Sequence, residues 1–164
     1  MSIRIKSNYL IYNGTKYKCA IGSGGFSNKK KEGDGCSPIG VFQITDIFFR
    51  KDKIKSLDTN YDLKAISPYD GWCDDPNSDQ YNTKIQFPFE HSAEELFRQD
   101  DQYDIVCITD HNQNPIIPGA GSAIFIHVAS KNYSATAGCV ALNIKDLTEI
   151  LSTLTKSTEI YFGL

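Results

Sequence analysis

The stretch AIFIHVASKNYSATAGCVALNI, residues 123–144, holds two apolar runs joined by a polar loop. The first run has the length and the apolar content of a strand, and His127 lies near its end. Cys139 precedes the second run and directly follows Gly138, a residue that permits close backbone approach and unusual dihedral angles. Because Asn143 then offers a helix cap, the stretch predicts a strand, a loop that returns the chain, and a turn into a helix.

Two interpretations fit a cysteine and a histidine at these positions. In the first, both residues are structural, because free cysteine is among the most buried residue types. In the second, His127 takes the proton of Cys139 and holds a thiolate, whose pKa then lies below the value of about 8.5 for a free thiol. Backbone N–H groups at such a strand-to-helix turn can also stabilise an oxyanion. His91 and His111 lie in turn-rich segments and are expected to be exposed loop residues.

Short strands dominate the rest of the chain. The N-terminus predicts a hairpin, because Asn13-Gly14 is a strong two-residue turn signal between two alternating segments. Further strands are predicted at residues 41–49, 103–109, 122–129 and 158–164.

Two short helices are also expected. The apolar residues of 144–154 have helical spacing, and Ser92 with Glu95 forms a capping box at the start of a second helical segment. Residues 67–82 are rich in turn-forming residues and predict a long ordered loop. The pattern predicts a mainly β fold, a β-sandwich or partly closed barrel of about six or more strands with two short α-helices, in a single domain over residues 1–164.

Composition excludes several classes of function. The net charge of −3 supplies no electrostatic reason to bind nucleic acid, and the basic residues 29–31 are expected to form a solvated loop. No run of about 18 apolar residues predicts a transmembrane helix. The five cysteines show no Cys-x-x-Cys spacing, and their odd number leaves at least one free thiol. No signal peptide is visible, so a cytoplasmic location remains an alternative.

Several blocks of the sequence together resemble one known family. IFIHVASKNYSATAGCVAL is similar to the catalytic signature of the L,D-transpeptidase (YkuD-type) family, and KKEGDGCSPIGVF is similar to its glycine-rich segment. Three further blocks also resemble one branch of it: GWCDDPNSDQYN, EELFRQDDQYDIV and PGAGSAIFIHV. The branch is divergent, because Ala137 stands where most members carry a second histidine and Ala141 stands where many carry an arginine.

The resemblance implies a cysteine acyltransferase that acts on peptidoglycan stem peptides or muropeptides in the periplasm or cell envelope. Cys139 would be the nucleophile and His127 its base, with no cofactor and no metal. The backbone N–H groups of Gly138 and Cys139 would bind the oxyanion. An amine would resolve the thioester in L,D-transpeptidation, and water would do so in L,D-carboxypeptidation. Another thiol amide hydrolase, or an inactive envelope-binding module, are the alternatives.

The loop of residues 70–82 is the expected wall of the substrate cleft. Trp72 and Tyr81 would offer stacking surface, and Asp74, Asp75 and Asn82 could hold ammonium or amide groups. Asp75 and Asn82 could instead cap turns. Thr136, in the signature itself, is a further expected substrate contact.

Overall fold

Fifteen strands and one helix are present in residues 1–28 and 30–164, the part of the chain that the computed structural model describes. The first eight strands are β1 (Ser2–Ile5), β2 (Tyr9–Tyr12), β3 (Thr15–Ala20), β4 (Phe26–Ser27), β5 (Ser37–Pro38), β6 (Gly40–Phe42), β7 (Ile44–Phe49) and β8 (Leu63–Ala65). They are followed by β9 (Asp70–Cys73), β10 (Lys84–Gln86), β11 (Ala93–Glu95), β12 (Ile105–Thr109), β13 (Phe125–Val128), β14 (Val140–Leu142), the helix α1 (Ile144–Leu151) and β15 (Glu159–Phe162).

Ten of these strands form one curled sheet in the order β6-β15-β1-β2-β3-β14-β13-β12-β7-β8. Strands β6 and β7 are separated in sequence only by Gln43, yet β6 is one edge of the sheet and β7 lies next to the opposite edge. The sheet must therefore bend until its two ends approach each other, which makes it a half-barrel. A three-stranded sheet, β10-β9-β11, and the pair β4-β5 complete the architecture.

The N-terminal hairpin forms as its sequence predicts. Asn13 and Gly14 adopt φ angles of 48° and 75°, which are the left-handed values of a type I′ turn between β2 and β3. The segment before them divides into two antiparallel strands, with Ile5 opposite Leu10.

Side chains alternate between the two faces of the central strands. On β13, Ile126 and Val128 pack into the larger apolar cluster, which also receives α1. Phe125 points to the opposite face and packs with Trp72 and Leu96 in a smaller cluster. Because Trp72 lies on β9, the three-stranded sheet covers this second face, and the layers resemble a sandwich around β12 and β13.

Helix α1 confirms the cap that the sequence indicates. Asn143 is the N-cap and its side chain accepts a hydrogen bond from the Lys145 N–H, while Leu147, Ile150 and Leu151 are buried in the larger cluster. No helix in the described residues is long and apolar enough to cross a membrane.

The prediction of a second helix, which starts at Ser92, is wrong. Residues 93–95 form β11, which pairs with β9 and sets Ala93 opposite Cys73. Pairing satisfies the backbone, and Leu96 becomes fully buried, so tertiary packing overrides the local capping signal of Ser92 and Glu95. The predicted loop of residues 67–82 likewise contains β9, and the strand predicted at residues 41–49 is interrupted at Gln43.

Candidate active site

Strand register brings Cys139 and His127 to one face of the sheet. β13 and β14 are parallel neighbours, and His127 pairs with Ala141. Cys139 lies two residues before Ala141, so its side chain projects from the same face as that of His127. The Phe125 N–H contacts Cys139 Sγ at 3.4 Å, which fixes the thiol beside the start of β13. The loop between the strands therefore returns the chain as its sequence predicts.

The Cys139 sulfur is buried between two backbone groups. Sγ donates to the Ala123 carbonyl at 3.0 Å and accepts from the Phe125 N–H. Burial, with a smaller contribution from the Glu94 carboxylate, raises the pKa of the Cys139 thiol to about 12, although the Phe125 N–H and the Lys30 ammonium act in the opposite direction. The expectation of a lowered thiol pKa is thus wrong for this conformation, in which Cys139 is a neutral thiol.

His127 is buried and held in one tautomer. Its Nδ1 lies 2.9 Å from the Val128 carbonyl oxygen, which can only accept, so Nδ1 carries the proton and Nε2 keeps its lone pair. Burial lowers the pKa of His127 to about 4, so the ring is neutral at pH 7. The Tyr103 ring packs edge-on against it, with centroids 5.1 Å apart. Among the described residues, no hydrogen bond joins the imidazole to Cys139 Sγ.

The turn before Cys139 is fixed by Thr136. Its Oγ1 donates to the Cys139 carbonyl at 2.6 Å and accepts from the Gly138 N–H at 3.1 Å. The Gly138 N–H is therefore occupied, which argues against its expected part in an oxyanion site and leaves the Cys139 N–H as the candidate donor. Gly138 has a φ of 145°, and a Cβ there would lie 2.8 Å from the Cys36 carbonyl oxygen, so only glycine fits.

A cavity of about 700 Å³ opens beside the cysteine and the histidine. Besides these two residues and Thr136, charged side chains line it: Lys30, Glu32, Asp74, Glu94 and Arg98. Lys30 corrects the expectation of a solvated basic loop, because only 7% of its side chain is exposed and its Nζ bonds to Asp34 Oδ1 at 2.5 Å. Lys29 lies outside the described residues.

Trp72 and Asn82 are placed behind the cavity wall, where they brace it. Asn82 is buried with a φ of 56°, and its Oδ1 accepts from Trp72 Nε1 at 3.0 Å and from the Ala123 N–H at 3.1 Å. Asn82 Nδ2 donates to the Asn112 carbonyl at 2.8 Å. Both residues are buried and neither lines the cavity, so this structure does not bring them to the site, and their expected roles as substrate contacts stay predictions. They position Ala123, whose carbonyl holds the Cys139 thiol.

Tyr81 and Asp75 also depart from the expected substrate-binding roles. Tyr81 is 2% exposed, and its hydroxyl donates to Glu32 Oε1 at 2.6 Å and accepts from the Gly121 N–H at 3.0 Å. Asp75 lies outside the cavity lining, where it accepts from the Asn77 N–H and contacts His91 Nδ1. Asp75 thus takes the turn-capping role that was its alternative. Thr136 does line the cavity, but its hydroxyl is occupied in the turn.

The two other histidines differ from each other. His91 is exposed, as expected, and its ring contacts Asp75. His111 is partly buried rather than exposed, because its ring packs edge-on against Phe42 with centroids 5.3 Å apart. Burial lowers the pKa of His111 to about 4. His111 is not among the residues that line the cavity.

Sequence reasoning missed four of the five charged residues that line the cavity, among them Glu94 and Arg98. Both lie in the segment that was assigned to a helix, and β11 instead turns Glu94 toward the site. The Tyr103 hydroxyl donates to Glu94 Oε1, and the Arg98 guanidinium lies over the Tyr103 ring at 5.1 Å from its centroid. A reading of residues 93–95 as a strand would have placed Glu94 and its two neighbours on opposite faces.

The family model of the L,D-transpeptidase catalytic domain, YkuD, matches residues 3–161. A search of curated proteins finds no matching relative. Within residues 1–28 and 30–164, no group of three or more His, Cys, Asp or Glu side chains is placed to hold a metal ion.

Proposed function

Because the chain belongs to the L,D-transpeptidase catalytic-domain family, we propose that it is a cysteine acyltransferase acting on peptidoglycan stem peptides. The observation that carries the proposal is the placement of Cys139 and His127 on one face of adjacent parallel strands, in the lining of one cavity. A cavity of about 700 Å³ is large enough for a short peptide segment.

The chemistry begins from a neutral pair. Cys139 Sγ attacks the carbonyl that precedes a terminal D-amino acid, and its proton passes to Nε2 of His127. Because burial raises the pKa of the thiol and lowers that of the imidazole, proton transfer accompanies attack instead of preceding it. The Sγ–H must first leave the Ala123 carbonyl, which requires a rotation of the Cys139 side chain.

The tetrahedral intermediate then collapses to a thioester. Its oxyanion is stabilised by the Cys139 N–H, and the imidazolium of His127 protonates the leaving amine. The C–N bond breaks, the D-amino acid departs and the acyl group stays on sulfur. An amine of a neighbouring stem peptide attacks the thioester in transpeptidation, and water attacks it in carboxypeptidation. Either attack restores the thiol.

Incubation with purified stem peptides tests the proposal. We expect a covalent adduct on Cys139, equal in mass to the donor peptide minus its terminal amino acid, and a cross-linked product when an acceptor amine is supplied. A shortened peptide without cross-links would assign the carboxypeptidase or hydrolase alternative. Absence of any adduct, with binding of peptidoglycan retained, would assign the inactive envelope-binding module.

The compartment is part of the same proposal. Peptidoglycan chemistry on stem peptides takes place in the periplasm or at the cell envelope, so we propose this location for the protein. Detection of the protein only in the cytosolic fraction, with adducts formed on soluble muropeptides, would indicate recycling of wall fragments instead.

A further inference from the structure

Three carboxylates line the cavity without a cationic partner. Glu32, Asp74 and Glu94 all border the space beside Cys139, and none forms a salt bridge with a lysine, arginine or histidine of the described residues. Burial raises the pKa of Glu94, the Tyr103 hydroxyl and the Arg98 guanidinium act in the opposite direction, and Asp74 and Glu32 add smaller upward effects. These three carboxylates therefore lack an ion-paired counter-ion, although the Arg98 guanidinium offsets part of the charge of Glu94.

The two cations of the cavity are each paired with a carboxylate that lies outside its lining. Lys30 Nζ bonds to Asp34 Oδ1 at 2.5 Å. Arg98 donates from Nε and Nη2 to both oxygens of Asp100, at 2.9 and 2.5 Å. Neither Asp34 nor Asp100 lines the cavity. A ligand therefore meets carboxylates that form no salt bridge and cations that already form one.

Among the three carboxylates, Asp74 is the one with a buried oxygen that accepts no hydrogen bond. Its Oδ1 is buried and has no hydrogen-bond partner in the described residues. Glu32 differs, because its Oε1 accepts from Tyr81 and from Ser122 Oγ. A buried carboxylate oxygen without a donor costs free energy. Because Asp74 Oδ1 has almost no accessible surface, the carboxylate must rotate to present it, and a ligand cation with N–H donors then recovers that cost. Asp74 and its neighbour Glu94 are thus the two positions suited to a ligand.

We propose that Asp74 and Glu94 form a subsite for the primary ammonium group of a substrate, beside the nucleophile Cys139. An ammonium group matches the site because it carries one positive charge and three N–H donors. The assignment to the acyl donor rests on the proposed function, since a diamino acid of a stem peptide carries a second amine.

Binding of a cation at Asp74 and Glu94 also affects the nucleophile. The Glu94 carboxylate raises the pKa of Cys139, and a cation bound next to it opposes that effect. A bound ammonium group therefore favours transfer of the thiol proton. The subsite links recognition of the substrate to activation of a thiol that is neutral in the resting protein.

Charged thiol reagents test the subsite without any peptide. Aminoethyl methanethiosulfonate is a cation, and sulfonatoethyl methanethiosulfonate is an anion of similar size. The rate of modification at Cys139 is measured for each by mass spectrometry, and their ratio is divided by the same ratio for a small free thiol. We expect the cationic reagent to be favoured about tenfold or more at low ionic strength, with the preference shrinking as salt is added.

Matched variants assign the effect to the two carboxylates. Asp74→Asn and Glu94→Gln should each reduce the ratio, and the double variant should bring it close to the free-thiol value. Asp79→Asn and Glu95→Gln, exposed acids of the same segments, should leave it unchanged. A wild-type ratio at or below the free-thiol value, or one unaffected by the double variant while thermal unfolding confirms folding, would overturn the subsite.

Binding to a Cys139→Ala variant identifies the source of the amine. A stem tetrapeptide with a free side-chain amine should bind about tenfold or more tightly than the same peptide acetylated at that amine, and Asp74→Asn should remove the difference. Equal binding of both peptides, with the reagent preference retained, would overturn the donor assignment and give the subsite to the acceptor amine.

The outcomes separate the subsite from the proposed function. A reagent preference without any peptide adduct on Cys139 supports the subsite and contradicts the acyltransferase. Equal adduct formation with both peptides and no reagent preference supports the acyltransferase and contradicts the subsite.

Discussion

Two buried cysteines, Cys107 and Cys139, lie on opposite faces of the same central sheet. Cys107 lies on β12 opposite Ile126 and packs in the larger apolar cluster, and burial raises its pKa to about 12. Cys139 packs in the smaller cluster, and its pKa is also raised to about 12. The two thiols are therefore alike in burial and in pKa, and they differ in what surrounds them. Only Cys139 borders the cavity and has a histidine projecting from the same face.

The comparison teaches that a raised thiol pKa does not by itself make a cysteine inert. The cavity supplies space for a carbonyl carbon next to Cys139 Sγ, and the His127 ring supplies a lone pair on the neighbouring strand. Reaction at Cys107 would require the sheet to open. Reaction at Cys139 requires only a side-chain rotation and a proton acceptor, so the following experiments compare these two environments.

Replacement of each cysteine should give the largest contrast. Cys139→Ala should abolish formation of the peptide adduct and of product, because no other thiol borders the cavity. Cys107→Ala should keep the activity and lower the free energy of unfolding by about 1–3 kcal/mol, since it leaves a small void in the larger cluster. Mass spectrometry of the adduct and thermal unfolding of both variants measure the contrast. Retained turnover in Cys139→Ala would refute the proposed mechanism.

His127→Gln should reduce the acylation rate by about 10²–10⁴, the usual contribution of a general base. The cost in stability should be about 1 kcal/mol, the usual net contribution of a hydrogen bond such as the one to the Val128 carbonyl. Rate and thermal midpoint are measured on the same sample. A large fall in the midpoint, with an unchanged rate per folded molecule, would place His127 with Cys107 as a core residue.

Gly138→Ala tests the backbone that presents the thiol. The added Cβ would lie 2.8 Å from the Cys36 carbonyl oxygen at a φ of 145°, so we expect a loss of roughly 2–4 kcal/mol in the free energy of unfolding. Gly25→Ala is the control, because Gly25 also has a positive φ but no atom within 4 Å of its Cβ. That variant should cost only about 1 kcal/mol. Equal losses in urea unfolding would show that the turn tolerates a side chain.

The pH dependence of alkylation gives the smallest effect. Because the thiolate is the reactive form and burial raises the pKa of Cys139, the thiolate fraction of the resting protein should keep growing above pH 8.5. Modification of Cys139 by iodoacetamide should therefore accelerate about tenfold per pH unit between pH 8.5 and pH 10, whereas the rate for a free thiol only about doubles over that range. The pH range is limited to that in which circular dichroism shows a folded protein. A plateau below pH 8.5 would restore the thiolate that the sequence predicted.

The local elements could be predicted from the sequence where one short segment decides them. Asn13-Gly14 gives its turn and Asn143 caps α1, because the φ preference and the side-chain acceptor act within a few residues. Ser92 and Glu95 carry an equally local signal, yet the segment is a strand. Its partner β9 lies some twenty residues away, so the stabilisation from that pairing cannot be predicted from residues 92–95 alone.

The sequence by itself determined which residues are chemically able to react, and tertiary structure decided what surrounds them. The order of His127 and Cys139, and the glycine before the thiol, follow from residue type and spacing. The neutral state of the thiol and the role of Asn82 as a brace depend on burial by distant segments. The unpaired charge of Asp74 also depends on distant segments, because desolvation and ion pairing are set by neighbours in space and not in sequence.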